Sequence, residues 1–370
     1  MNKAPDTRSF IEEFGPNGKF LFSALSQFGL ESTWKFFEDL KIPLKVENDN
    51  KVFPQSDDGR DVLSALTKEM KKLKVEIKFK SPVSKINLKE GLIDSITLEN
   101  KEKIQAKKFI LCCGGKSYPL TGSTGDGYDY AESLGHTITP LLPALTPLIL
   151  NDQHINTIEG VAIKQVLLQA SLNKKIIAKV TGDIMFTADG ISGPATITLS
   201  QKIATQVEHG LNLRIDLFPN LDKENLDKQM IKLLSENPNK ELHSVMTELL
   251  PQRFVKYLST KYFLDFSKKC NIITAKERKD LGEELKNIEY RTPPLAKGGG
   301  IKNLEGFDKA MITVGGVNLK EVDPKTMQSK IIKNLYFAGE ILDLAGPTGG
   351  YNLQVCWSTG YTAGNSATME

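Results

Sequence analysis

The sequence predicts an α/β protein in which one open-sheet domain is interrupted by a long β-rich and helical insertion. Three observations carry this. An apolar strand, FILCC, runs from Phe109 into Gly114 and Gly115, and a helical pattern, GDGYDYAESLGH, follows it. A second apolar strand, NLYFAGE, ends at Gly339 and Glu340 and leads to another helical pattern after Gly349 and Gly350. Between them, from about Pro140, the texture changes to short alternating strands and then to lysine- and leucine-rich helices. Buried strands that end in glycines and pass into helices belong to open α/β sheets, whose ligands bind beyond the carboxyl ends of the strands.

The elements follow in order. TRSFIEEF, KFLFSALSQFG and ESTWKFFEDLKI read as helices, separated by Gly15, Pro16 and Gly18 and stopped at Gly29. PLKVEND and KVFP predict a short hairpin. DGRDVLSALTKEMKKLKV places Val62, Leu63, Leu66, Met70 and Leu73 on one side of a helix. VEIKF, PVSKINL and LIDSITLE read as three strands. The helix at GDGYDYAESLGH has Ser123, Thr124 or Asp126 as N-cap candidates and Gly135 as its stop. Residues 145–217 are mostly alternating strands, broken by FTADGISGPATITLSQKIA, a turn leading into a helix, and residues 221–287 read as helices. The predicted divisions are 1–142 with 308–370 for the first domain, 143–220 with 288–307 for a β-rich insert, and 221–287 for its helical part.

Composition narrows the function classes. A net charge of +3 from 48 basic and 45 acidic residues gives no electrostatic case for a nucleic-acid partner. Cys112, Cys113, Cys270 and Cys356 lack CxxC spacing, and Cys112 and Cys113 would point to opposite faces of a strand, so neither a disulfide framework nor a zinc site is expected. His136, His154, His209 and His243 are scattered and form no metal-ligand pattern. No apolar run approaches the roughly 18 residues of a membrane span. The opening MNKAPDTRSFIEEFGPNGKF contains acids and no apolar core. A cytoplasmic, reducing location without a signal peptide is the expectation.

The glycine-rich stretches carry the chemistry. Gly114 and Gly115 at a strand end allow backbone to approach a ligand closely, or serve a plain turn. Glu340 ends a buried strand, where a carboxylate needs donors; ligand hydroxyls or a backbone turn could supply them. Gly349 and Gly350 sit where a helix begins, so its free N–H groups would favour an electron-rich group. Gly360, Ala363 and Gly364 would let that helix pack closely on the sheet.

The motifs GPNGKFLFSALSQF, VFPQSD, CCGGKSYPLTGSTGDGYDYAESLGHTITPLLPAL, FTADGISGPA, MITVGGVNLKEVDPKTMQSK and LYFAGEILDLAGPTGGYNLQ occur in that order over essentially the whole chain. In them the sequence resembles bacterial FAD-dependent NAD(P)/FAD oxidoreductases of the aminoacetone-oxidase-like kind. The resemblance implies a Rossmann-like FAD-binding domain, with Gly114 and Gly115 passing along the FAD and Val83 meeting the adenine through its backbone. It implies Gly339 and Glu340 near the ribityl and pyrophosphate, and Gly350, Tyr351, Asn352 and Leu353 at the helix start beneath the isoalloxazine ring. It further implies a small-molecule substrate, with NAD(P)H as a possible electron donor.

Two departures stand out. No GxGxxG fingerprint occurs in the first hundred residues, so the resemblance implies a chain that starts after that motif, with the first βα unit missing. Ala188 stands in FTADGISGPA where relatives commonly carry histidine. The expected function is flavin-dependent oxidation and reduction. The alternatives are an RNA-modifying or folate-using flavoprotein, or a non-catalytic fragment that has lost FAD. Without the phosphate-binding loop, the chain alone is expected to retain FAD weakly and to aggregate through unpaired strand edges. A visible absorption scan of the purified chain checks this; a yellow protein carrying one FAD per chain is the contrary result.

Overall fold

The computed structural model describes residues 1–2, 6–47, 50–262, 264–290 and 300–369. The chain divides into two compact units, Met1–Leu142 with Ile312–Glu370, and Pro143–Met311. Both mix helices and sheets, so the protein is α/β. Within the stretch read as 288–307, residues 291–299 lie outside the described residues.

In the first unit the opening helix, Thr7–Glu12, starts at Asp6, whose carboxylate accepts the Ser9 N–H at 2.9 Å. That satisfies one of the free donors of a helix start. Leu44–Val46 and Val52–Pro54 form the expected antiparallel hairpin. A three-stranded antiparallel sheet follows, Val83–Lys89, Leu92–Leu98 and Lys103–Gln105. VEIKF, read as a strand, is not one; residues 75–79 are irregular and the third strand is Lys103–Gln105. Val75, Ile77 and Phe79 lie exposed, so β-favouring residues there had no partner strand to pair with.

The site-bearing pair is Phe109–Leu111 with Leu335–Phe337, joined in parallel with Leu335 opposite Phe109. Asn334 fastens this pair to the three-stranded sheet. Its Nδ2 donates to the Ile93 carbonyl at 2.8 Å, and its Oδ1 accepts the Ile93 N–H at 3.0 Å. Phe10, Leu21, Phe337, Ile341 and Leu342, all fully buried, lie in the core around these strands.

One expected helix forms without burying its apolar side, and two local expectations are corrected. The helix Gly59–Lys72 forms, but none of its residues is buried, and Leu63 is 66% exposed. Its amphipathic pattern set the helix without giving it a cover among the described residues. The helix Asp126–Ser133 is entered through Gly125 at φ +93, with no side-chain cap, although Thr124 does hydrogen-bond Asp126. Gly360 and Gly364 face open space, so close packing on the sheet is not why they are glycines.

The second unit is built on a seven-stranded antiparallel sheet. Its order is Ile288–Tyr290, Asn212–Asp216, Ala162–Leu172, Lys175–Phe186, Gly190–Ser192, Leu148–Leu150 and Ile301–Leu304. Val166, Leu168 and Ala170 alternate into the core, as do Leu213 and Ile215. The helix Pro194–Ile203 packs on the Lys175–Phe186 strand, and Gly182, at φ +157, has Ala195 Cβ 3.4 Å from its would-be Cβ. The helix Ala275–Lys286 opens with a reciprocal Thr274–Glu277 capping box.

Its last residue, Lys286, is buried and donates to Asp216 at 2.9 Å and to the Phe218 carbonyl at 2.8 Å. Removing one member of such a pair strands the other charge away from water. Asp216→Ala should destabilise the second unit by about 3–5 kcal/mol in urea unfolding of the full chain. The exposed pair Lys223–Glu283 should show no comparable loss.

Candidate functional site

The site begins where the two parallel strands stop. Gly114 adopts φ +79, a conformation costly for side-chain-bearing residues, and no atom lies within 4 Å of its would-be Cβ. Gly115 is constrained differently. A Cβ there would lie 2.6 Å from Thr313 Oγ1 and 2.7 Å from Glu340 Oε1. The glycine exists because two polar side chains occupy that space.

Thr313, 1% exposed, joins both halves. Its Oγ1 accepts the Lys116 N–H at 2.8 Å and lies 3.2 Å from Ser117 Oγ. Its own N–H donates to Glu340 Oε1 at 2.9 Å. The half-buried carboxylate thus finds a donor within the short strand Ile312–Val314 rather than in its own turn. Burial pushes the Glu340 carboxyl above its ordinary value, and the Thr313 N–H opposes part of that shift. Tyr128 leans its hydroxyl toward the Glu340 carbonyl at 3.4 Å. Gly127 lets its helix approach the strand end, since a Cβ there would sit 2.9 Å from Cys113 Cβ.

Gly339, also at φ +79, donates its N–H to Thr359 Oγ1 at 2.9 Å and rests against Cys356 Sγ. Burial, reinforced by the Glu340 charge, pushes the Cys356 thiol up to about 11. The thiolate that redox or nucleophilic chemistry needs is therefore suppressed.

Gly114, Gly115, Gly339 and Glu340 are thus brought together. The remaining sequence-predicted residues lie in local networks of their own. Val83 gives its carbonyl to Tyr130 Oη at 2.6 Å. Gly350, at φ +91, caps the C-terminal helix Tyr351–Thr368, and a Cβ there would meet the Met1 carbonyl carbon at 2.3 Å. Tyr351 stacks on Phe10 with ring centroids 4.9 Å apart. Asn352 accepts the Gly346 N–H at 2.8 Å and donates to the Gly346 carbonyl at 2.9 Å, so its side chain braces the preceding loop. Leu353 is exposed.

Sequence reading missed Thr313, which sits in the apolar run AMITVGG; a lone threonine before paired glycines was the available signal. It also missed that His136 meets Ser329 Oγ at 2.9 Å and Glu321 at 3.3 Å. That resembles a nucleophile–base pair, but Ser329 is buried and its Oγ accepts the Ile331 and Ile332 N–H groups. It braces a turn. Among the described residues no group of His, Cys, Asp and Glu could hold a metal ion, and no helix is long and apolar enough to cross a membrane.

What the cluster offers is open glycine backbone beside a half-buried carboxylate, an arrangement that accepts hydrogen bonds from a polyhydroxylated ligand. Residues 1–366 match the HI0933-like protein Rossmann domain. The chain belongs to that family. It is 30% identical over 369 residues to the 3-dehydro-bile acid delta(4,6)-reductase of Clostridium scindens, covering 99% of this chain and 86% of the relative. It is 27% identical to the ribosomal RNA dihydrouridine synthase of Haemophilus influenzae over 96% of this chain and 84% of that one. The Escherichia coli synthase of the same name is 28% identical, over 93% and 81%. Among solved structures, the open conformation of a flavocytochrome c3 fumarate reductase aligns at a TM-score of 0.47 and 16% identity, over 98% of this chain and 67% of that one. As a member of the HI0933-like family the protein is a FAD-dependent, Rossmann-type oxidoreductase.

Glu340 gives a pH prediction. An unfolded glutamate titrates near its ordinary value of about 4.3, and the folded one titrates higher. Between the two the folded chain holds more protons, so stability falls as pH rises through that window. Glu340→Gln keeps the acceptor for Thr313 and removes the charge. Without cofactor it should melt at a higher temperature than wild type at about pH 7 and lose that advantage near about pH 4.

Proposed function

We propose that this chain uses FAD to pass hydride between a reduced nicotinamide and a small organic acceptor, the hydride chemistry being the cofactor's. The observation that carries the reading is the Thr313-held, half-buried Glu340 beside the open Gly114 backbone. In this reading Glu340 accepts hydrogen bonds from the hydroxyls of the FAD linker, and the backbone of Gly114, Gly115 and Gly339 lies along it. The N–H groups at the start of the C-terminal helix, from Gly350 through Leu353, favour negative charge on the ring edge. Val83, whose carbonyl is taken by Tyr130, would meet the adenine through the rest of its backbone. These residues bind and orient; proton delivery to the product falls to substrate-side groups.

A conjugated ketone is the favoured acceptor class, supported by the relative named as a delta(4,6)-reductase of 3-dehydro-bile acids. The narrower likeness to aminoacetone oxidases makes an amino ketone the second candidate. A ribosomal RNA substrate, which the two dihydrouridine synthases suggest, gains little attraction from a chain with net charge +3.

The test is anaerobic. The full chain is saturated with FAD, mixed with NADPH or NADH, and then offered a steroid enone, aminoacetone or ribosomal RNA. The flavin band should bleach with a nicotinamide and return with the enone. Gly115→Ala, which pushes a methyl into Thr313 and Glu340, should weaken FAD retention at least about tenfold, or ~1.4 kcal/mol. Flavin-loaded protein that no nicotinamide reduces would remove the nicotinamide half of the reading.

A further inference from the structure

The second unit carries a concave polar face that the flavin reading does not use. On the Ala162–Leu172 strand, Gln169 and Ser171 alternate with buried Leu168 and Ala170. On its neighbour, Asn212 and Arg214 alternate with buried Leu213 and Ile215. Register places Asn212 opposite Ser171, and Arg214 opposite Gln169 on one side and Glu289 on the other. Period-two geometry therefore gathers these side chains on one face of the sheet. That face is not flat. Together with Lys174 and Ile176, from the turn and strand that follow, it lines a cavity of about 420 Å³.

Arg214 is the unusual member. Its Nε is buried and has no acceptor among the described residues, and its Nη2 reaches the Lys286 carbonyl only at 3.3 Å. A guanidinium carries donors in a planar fork, and leaving them unspent out of water is costly. The group that satisfies such a fork is a carboxylate or a phosphate. Lys174 adds a second positive charge to the lining, while Glu289 limits the total.

We propose that this face is a binding site for a small organic anion, its carboxylate or phosphate seated on Arg214 and its neutral polar atoms on Gln169, Ser171 and Asn212. The exposed Ile176 gives the remainder of such a molecule an apolar wall. The site is independent of the flavin reading, and either can fail without the other.

Calorimetric titration of the full chain tests it, with inorganic phosphate, adenosine monophosphate and succinate as probes. The expected result is saturable binding of at least one probe in the millimolar range or tighter. The probe that binds tells phosphate from carboxylate. Arg214→Gln should weaken that binding at least about tenfold. Arg214→Lys, which keeps the charge and loses the fork, should fall between. Asn212→Asp, which adds a negative charge to the face at nearly constant volume, should weaken it as well and serves as the second variant where Arg214→Gln folds poorly. FAD retention should be the same in all of them. Failure of every probe to saturate, or binding unchanged in both Arg214→Gln and Asn212→Asp, overturns the proposal.

Discussion

The first unit's site depends on one hydrogen-bonded tie at Thr313. Its N–H holds Glu340 Oε1, and its hydroxyl receives the N–H that follows the Gly114–Gly115 turn. A carboxylate buried at a strand end is unfavourable unless donors meet it. Here the donor is the backbone of the strand Ile312–Val314, supplied at no cost in side-chain entropy. The tie leaves no room for a side chain at position 115, and this explains the second glycine of the pair. With Gly115 fixed, Gly114 is left to turn the chain through a left-handed conformation with its outer side open.

Glycines elsewhere in this chain answer to different constraints, although they look alike in sequence. Gly350 is required twice, by its left-handed φ and by the Met1 backbone packed where a Cβ would be. Gly127 allows a helix to meet a strand end. Gly360 and Gly364 meet nothing, so their cost is the weakened helix propensity of glycine without a packing return. Composition alone could not sort these cases, because each depends on an atom distant in sequence.

The second unit buries charge more freely than the first. Lys286 with Asp216, and Lys261 with Asp152, are both ion pairs of low exposure. Asp152 also accepts the Tyr257 hydroxyl at 2.6 Å, and Tyr257 meets Tyr290 at 3.0 Å. The Asp152 carboxyl is held below its ordinary value by Lys261 and Tyr257, against the burial that would raise it. Such networks fix strand ends and helix ends to one another. Arg214 stands apart because the same kind of burial leaves its Nε without an acceptor among the described residues.

Much of this was legible in the sequence. The α/β class, the strand–glycine–helix unit at 109–135, the hairpin at 44–54 and most helices follow from local periodicity and turn residues, which act over a few positions. Glu340 was marked as a carboxylate in need of a donor, because a charge ending an apolar strand is a local contradiction. The identity of the donor was not legible. Thr313 is 27 residues away in sequence from Glu340 and 197 from Lys116, and only the fold makes them neighbours. The same limit applies to VEIKF, which has strand propensity without a partner, and to Asn352, whose side chain turned inward to brace Gly346. The sequence by itself determined which backbone conformations were available at each glycine and which residues had to leave water. Tertiary structure decided which polar groups met, since a hydrogen bond between distant residues is set by how the fold places one strand beside the end of another.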